Sequence, residues 1–158
     1  MYEYLSVEEI YRFEPGWPLS FNEAAKETFR RVEDNTFIAV ERKEDHKLIG
    51  HLYFALDDDQ NKNTWSLGYI FHPKFQRAGY CTEACKAIVE DAFKNRNAHR
   101  VEAKCSTENI GSNRVLQKLG MRLEGTMMKN VYFHTDEEGN PRWFNTNIYA
   151  LLSEEWVG

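Results

Sequence analysis

The 158 residues suit one domain, residues 1–158, with enough chain to bury a sizeable core. Hydrophobic residues make up 42% and charged residues 28%, the balance of a water-soluble globule. The net charge of −5, with no basic block, argues against a nucleic-acid partner, and no apolar run approaches the length of a membrane span. Residues Met1 to Leu5 lack the basic and apolar regions of a secretory signal, so the cytoplasm is the expected compartment. Cys81, Cys85 and Cys105 cannot all pair with one another, and no His/Cys cluster has metal-ligand spacing. They read as small apolar residues in a reducing environment, with no metal expected.

In chain order, residues 2–12 read as the end of a helix, followed by a loop from Phe13 to Ser20. Asn22 is placed to cap a helix over 23–33, with Ala24, Ala25, Phe29 and Val32 as its apolar positions. Three strands are predicted at 36–41, 47–56 and 64–71, with an Asp/Asn-rich turn, Asp57–Asn63, between the last two. Pro73 ends the third. Over 81–94, Cys81, Ala84, Cys85, Ile88, Val89, Ala92 and Phe93 recur at helical spacing. Arg100–Cys105 alternates as a half-buried strand. Asn109 would cap a short helix carrying Val115, Leu116 and Leu119, which Gly120 ends. Strands over about 121–133 and 142–152 follow, joined through Asp136–Pro141 as a hairpin. The order implies an α/β (α+β mixed) fold, a mixed sheet with helices on both faces.

The informative stretch runs from Phe71 to Ala84. A strand ends, a loop containing Gln76, Arg77, Ala78 and Gly79 turns, and a helix begins at Tyr80, Cys81 and Thr82. Backbone N–H groups at a helix N-terminus favour an anion, and Gly79 lets backbone approach a phosphate closely. No Gly-Lys-Ser/Thr follows, so this is neither a P-loop nor the dinucleotide fingerprint. Taken alone, such a loop is more often a plain turn.

With residues 109–121 added, the sequence resembles the GNAT N-acetyltransferase superfamily, in its RimJ/RimL-like (ribosomal-protein) subgroup. Gln76-x-x-Gly79-x-Cys81 resembles the coenzyme A pyrophosphate signature. Asn109, Ser112, Val115, Leu116 and Lys118 to Met121 resemble the later motif, and Leu123 to Gly125 and Ile148 to Leu152 with Glu155 and Trp156 extend the likeness over nearly the whole chain. The resemblance implies a twisted mixed sheet whose fourth and fifth family strands, here 64–71 and 100–105, run parallel but splay apart, with acetyl-CoA between them. Carried over, Tyr69, Ile70 and Phe71 offer backbone to the pantetheine arm, residues Arg77 to Thr82 cradle the pyrophosphate, and Asn109 holds the pantetheine from the other side. A backbone N–H near Ile70 would meet the oxyanion. Many members use a tyrosine seven residues after the asparagine to protonate the thiolate. Here that position is Leu116, so the subgroup's serine, Ser112, takes the role; its other reading is a helix-turn residue bonding backbone. The expected partner is a primary amine, of a small molecule or a protein N-terminus, with a homodimer as the one further assembly considered.

Four departures from the family pattern bear on chemistry. Cys81 stands where Gly or Ala is usual, a small change. Ser66 stands where related sequences carry a base-like glutamate. Met128 and Asn145 stand where an arginine and an aspartate would pair. No strand precedes the first helix, so the chain reads as starting inside the family pattern, by an internal start or truncation, and the 36–41 strand becomes an edge. Without an efficient base, acceptors that titrate near neutrality would be favoured over lysine side chains. Phe13, Trp17 and Phe21 are read as anchors of the loop or as a lid. His51 is read as structural, His46, His72, His99 and His134 as carrying no signal, and Asp57 to Asp59 as a solvated turn. A competing reading is a catalytically weak acyl-CoA-binding or sensing domain on the same fold.

Overall fold

A computed structural model of the chain describes residues 1–59 and 62–157; Gln60 and Asn61, in the expected 57–63 turn, lie outside them. Its helices are α1 (Tyr2–Leu5), α2 (Phe21–Glu33), α3 (Tyr80–Asn95) and α4 (Ile110–Lys118). Its strands are β1 (Phe37–Arg42), β2 (Lys47–Leu56), β3 (Thr64–Phe71), β4 (Arg100–Ser106), β5 (Arg122–Thr135) and β6 (Pro141–Leu152). The strands form one sheet in the order β1-β2-β3-β4-β6-β5. Every neighbouring pair is antiparallel except β3 with β4. Among the described residues no strand lies outside β1, which is therefore a sheet edge.

Alternation divides the sheet into two faces. Leu52, Phe54, Leu67, Phe71, Val101, Ala103, Tyr149 and Leu151 point one way and pack with Cys85, Val89 and Ala92 of α3 and Leu116 of α4 in the core. The other face carries α1 and α2 over His51. His51 is buried, and its two nitrogens meet Tyr4 Oη at 2.9 Å and Arg31 Nη1 at 2.8 Å. The guanidinium can only donate, so Nε2 accepts and Nδ1 carries the proton. Burial, then the Arg31 charge, lowers its pKa to about 3, so His51 is a neutral structural group.

The N-terminal third departs most from the sequence-based reading. The expected helix over 2–12 breaks at Ser6 and Val7 and resumes as a 3-10 turn, Glu8–Arg12. The break lets both halves bury apolar residues, Tyr4 and Leu5 from one and Ile10 and Tyr11 from the other, with Tyr11 Oη donating to the Leu5 carbonyl at 2.9 Å. Ser20, not Asn22, caps α2. Its hydroxyl accepts from Glu23 N–H while the Glu23 carboxylate accepts from Ser20 N–H, a reciprocal box that Asn22 cannot form. Phe29 and Val32 are exposed rather than core, because α2 turns Ala24, Thr28 and Arg31 toward the sheet.

Candidate active site

The β3–β4 ladder stops early. Parallel pairing runs from Thr64↔Arg100 to Leu67↔Ala103 and ends there, although β3 continues beside β2 as far as Phe71↔Gly50. The bonds from Asp57 N to Thr64 O and from His72 N to Ile49 O fix which residues of β3 bond to β2: the even ones. Tyr69 and Phe71 therefore turn their N–H and C=O toward β4, where the ladder has ended. Ile70 turns its own toward His51, so the gap-facing backbone belongs to its two neighbours. Across the gap, Thr107 N bonds to Asn145 O, which commits the odd residues of β4 to β6 and leaves Lys104 facing β3. The opening thus begins where the Tyr69 N–H would have bonded to the Lys104 carbonyl.

At the C-terminal end of β3 the chain turns into α3 through residues 76–79, all exposed. Gln76 Nε2 donates to the Phe71 carbonyl at 3.1 Å, which ties the loop to the strand and occupies the one gap-facing acceptor at its end. Arg77 has φ 63° and Gly79 φ 92°, and Gly79 is the N-cap of α3. Two left-handed residues separated by Ala78 curl the backbone so that successive N–H groups face outward beside the helix N-terminus. Nothing lies within 4 Å of the position a Cβ would take at Gly79, so the space in front of the loop is open.

On the opposite wall, Asn109 caps α4, its Oδ1 accepting from Ser112 N–H at 3.1 Å. Asn113 fastens that helix to two strands, donating to Ser106 O and accepting from Asn147 Nδ2 and Tyr149 Oη. Ser112 Oγ then lies 2.8 Å from Tyr69 Oη, and Tyr69 Oη lies 3.3 Å from the Ser112 carbonyl. Burial raises the Tyr69 pKa well beyond its ordinary value, so the phenol keeps its proton.

One cavity of about 1050 Å³ spans the sheet opening and is lined on one side by Tyr69, Asn109 and Ser112. Its other side is built from the loop 13–19, α2 and β5. Phe13 packs edge-on against Phe144 of β6 at 5.9 Å, and Leu19 N–H bonds to Leu5 O at 2.8 Å, so the loop is held at both ends. Trp17 lines the cavity, 66% exposed, and bonds to the Glu23 carboxylate, while Phe21 packs edge-on against Tyr2 at 5.6 Å. At the third departure, the Asn145 side chain accepts from Lys129 N–H at 2.7 Å and pins a bulge in β5, while Met128 is exposed and unpaired with it.

A sequence model described as an acetyltransferase (GNAT) domain matches residues 1–122. The chain belongs to the GNAT acetyltransferases. An N-acetyltransferase of Bacillus subtilis, the uncharacterized YnaD, is 37% identical over 158 residues, 99% of this chain and 88% of that protein. The ribosomal-protein-serine acetyltransferase of Escherichia coli is 26% identical over 145 residues, 87% of this chain and 76% of that one. Among solved structures, a GNAT-family acetyltransferase from Bacillus anthracis superposes with a TM-score of 0.86 at 29% identity, covering 98% of this chain and 88% of that one. The spermidine N-acetyltransferase of Vibrio cholerae, solved with CoA and spermine, shares the fold, with a TM-score of 0.79 at 17% identity and coverage of 99% and 90%.

The GNAT architecture accounts for what the sequence placed together. The 76–82 loop, the end of β3 and the start of α4 converge on the splayed strands. Three features were not legible. The Tyr69 hydroxyl reaches Ser112 across 43 residues of sequence. His72, read as carrying no signal, accepts from Lys74 N–H and caps the turn leading into the loop. Glu14 lines the cavity from the 13–19 loop, and burial pushes its pKa up to about 7. The composition of the loop gave no sign of it, because a lone glutamate beside a proline is an ordinary surface residue.

Proposed function

We propose that this GNAT enzyme transfers the acetyl group of acetyl-CoA to a primary amine by direct attack within a ternary complex. The observation that carries the reading is the end of β3–β4 pairing at Leu67 and Ala103, beside an open, left-handed loop at the start of α3. The residues present fit the donor. The Tyr69 N–H and C=O and the Phe71 N–H are offered to an extended pantetheine arm, as an added strand would use them; the Phe71 carbonyl is held by Gln76. Residues 77–82 offer N–H groups and the α3 N-terminus to the pyrophosphate. Asn109, with Oδ1 committed to its cap, keeps its amide N–H groups for the arm.

Each step of the transfer then falls to a residue of this chain. The Tyr69 N–H is aimed into the opening and is the donor placed to stabilise charge on the attacked carbonyl oxygen. Ser112 protonates the departing sulfur, and the Tyr69 hydroxyl, which keeps its own proton, orients Ser112 through their 2.8 Å contact. The 13–19 loop and α2 enclose the amine and exclude water. The acceptor class we assign is a peptide N-terminus or a small amine. Ser66 supplies no base, and the competing reading, a domain that binds acyl-CoA without turning it over, rests on that residue and on Leu116 in the place of the family's tyrosine. Two measurements separate them: calorimetry with acetyl-CoA, and release of free thiol when amines are added. Binding with amine-dependent thiol release is expected; binding without release from any amine would favour the sensing domain.

A further inference from the structure

We propose that Glu14 is the general base of this enzyme, taking the proton from the acceptor's ammonium group before attack. The inference rests on the acetyl-transfer reading and adds to it a base that no motif supplies. Glu14 belongs to a loop pinned by Phe13 on Phe144 and by Leu19 on Leu5, so its backbone is fixed although it lies outside helix and strand. It lines the same cavity as Tyr69 and Ser112, from the opposite side. Among the described residues its carboxyl has no hydrogen-bonding or ion-pair partner.

The other groups facing that space are committed or unsuited. From α2, Glu23 is held by the Ser20 cap. Glu27 is bound by Arg30 and Arg31, which hold its pKa near 2, so it is an ion-pair member and a poor proton acceptor. The same carboxylate pairs with both arginines, and Arg30 also meets Asp34. From β2, His51 has its accepting nitrogen occupied by Arg31, and Tyr53 offers a phenol rather than a carboxylate. From β4, Lys104 is paired with Glu102 at 3.3 Å. Glu102 neighbours Ser66 across β3 and β4, but it is bound to Arg100 and Lys104 and does not line the cavity. Glu14 is the carboxylate left free to meet a cationic amine. Burial, with no opposing charge, moves its proton affinity toward neutrality, where a base is most effective.

The proton balance closes. The ammonium gives one proton to Glu14, and the neutral nitrogen forms its bond to the acetyl carbon as the carbon–sulfur bond breaks. The sulfur receives a proton from Ser112, the nitrogen sheds its second proton to water as the amide forms, water restores the Ser112 hydroxyl, and Glu14 returns its own proton to water.

The test compares wild type with Glu14→Gln and Glu14→Asp on a panel: a peptide with a free N-terminus, the same peptide N-blocked and carrying lysine, and spermidine. Glu14→Gln should leave acetyl-CoA affinity within about twofold and lower kcat/KM on the order of 100-fold at pH 7.5. The loss should be larger for the lysine peptide, whose amine titrates near ~10.4, than for the α-amine near ~7.8. The wild-type inflection near neutral pH should vanish in Glu14→Gln and persist in Glu14→Asp. Equal losses on all acceptors with an unchanged pH profile, or no loss, would overturn the assignment while leaving acetyl transfer standing. Acetyl-CoA binding without transfer to any of the panel would overturn the amine reading and this inference with it.

Discussion

The two sides of the cavity are made of different material. The side we assign to the donor presents mostly backbone: the end of β3, the 76–79 loop and the α3 N-terminus, each shaped by neighbours close in sequence. The side we assign to the acceptor presents side chains gathered from the 13–19 loop, α2, β2 and β5, held by contacts that span most of the chain, such as Phe13 on Phe144. Backbone recognition of a common donor needs only a glycine, a cap and a ladder that stops. Recognition of a particular amine needs side chains, and these can change without disturbing the fold.

The largest expected effect breaks the donor side alone. Gly79→Glu forces a side chain into a φ of 92° and sets a carboxylate where phosphates are expected. Left-handed backbone costs about 1–2 kcal/mol for an ordinary residue, and the like charge adds several more against the ligand. Acetyl-CoA affinity by calorimetry should fall at least about 100-fold. Gly79→Ala meets no atom within 4 Å and carries only the backbone cost, so its loss should be roughly tenfold. Unchanged affinity in the glutamate variant would remove the donor side from this loop.

Next come the residues at the seam. Ser112→Ala should lower kcat by about tenfold to 100-fold with little change in acetyl-CoA affinity, since the Asn109 cap uses the Ser112 backbone and survives the change. A smaller loss, about threefold to tenfold, is expected for Tyr69→Phe, which keeps the Tyr69 N–H but removes the hydroxyl behind Ser112. A Tyr69→Phe loss larger than that of Ser112→Ala would make the phenol, not Ser112, the direct donor.

The same contrast explains what the sequence could tell. Strands 47–56 and 64–71, the helix expected over 81–94 and the Asn109 cap were legible, because periodicity and capping are local and short-range. The α2 face was misread. Phe29 and Val32 follow a helical apolar pattern, yet that helix faces the sheet with Arg31, which is committed to His51 and Glu27. A polar network buried beneath a helix leaves no periodic trace. Glu14 was invisible for a related reason. Its chemistry comes from what surrounds it, and its surroundings are assembled from α2, β2 and β5.

The smallest effect sharpens the acceptor side by stability alone, without a substrate. A carboxyl whose folded pKa is near 7, against an ordinary value near ~4.3, binds more protons folded than unfolded between those limits. Its contribution is fully favourable below ~4.3 and is lost as pH rises through about 7. His51 acts in the opposite sense: its folded pKa of about 3 makes the protein gain stability as pH rises from 3 toward 6.5. The raw pH profile of wild type therefore mixes the two. Glutamine cannot ionise, and Glu14→Gln retains His51 and Glu27, so their contributions cancel in the difference between variant and wild type. That difference in Tm should be close to zero at pH 4.5, grow through pH 6, and level off above pH 7.5 with the variant more stable. Because Glu14 is only partly buried, solvent reduces the effect to about 1 kcal/mol, or about 3 °C for a chain of this size. A difference that stays flat across this range would mean that Glu14 titrates as an ordinary surface carboxylate, and a destabilised variant at pH 8 would mean that the ionised carboxylate has a partner in solution.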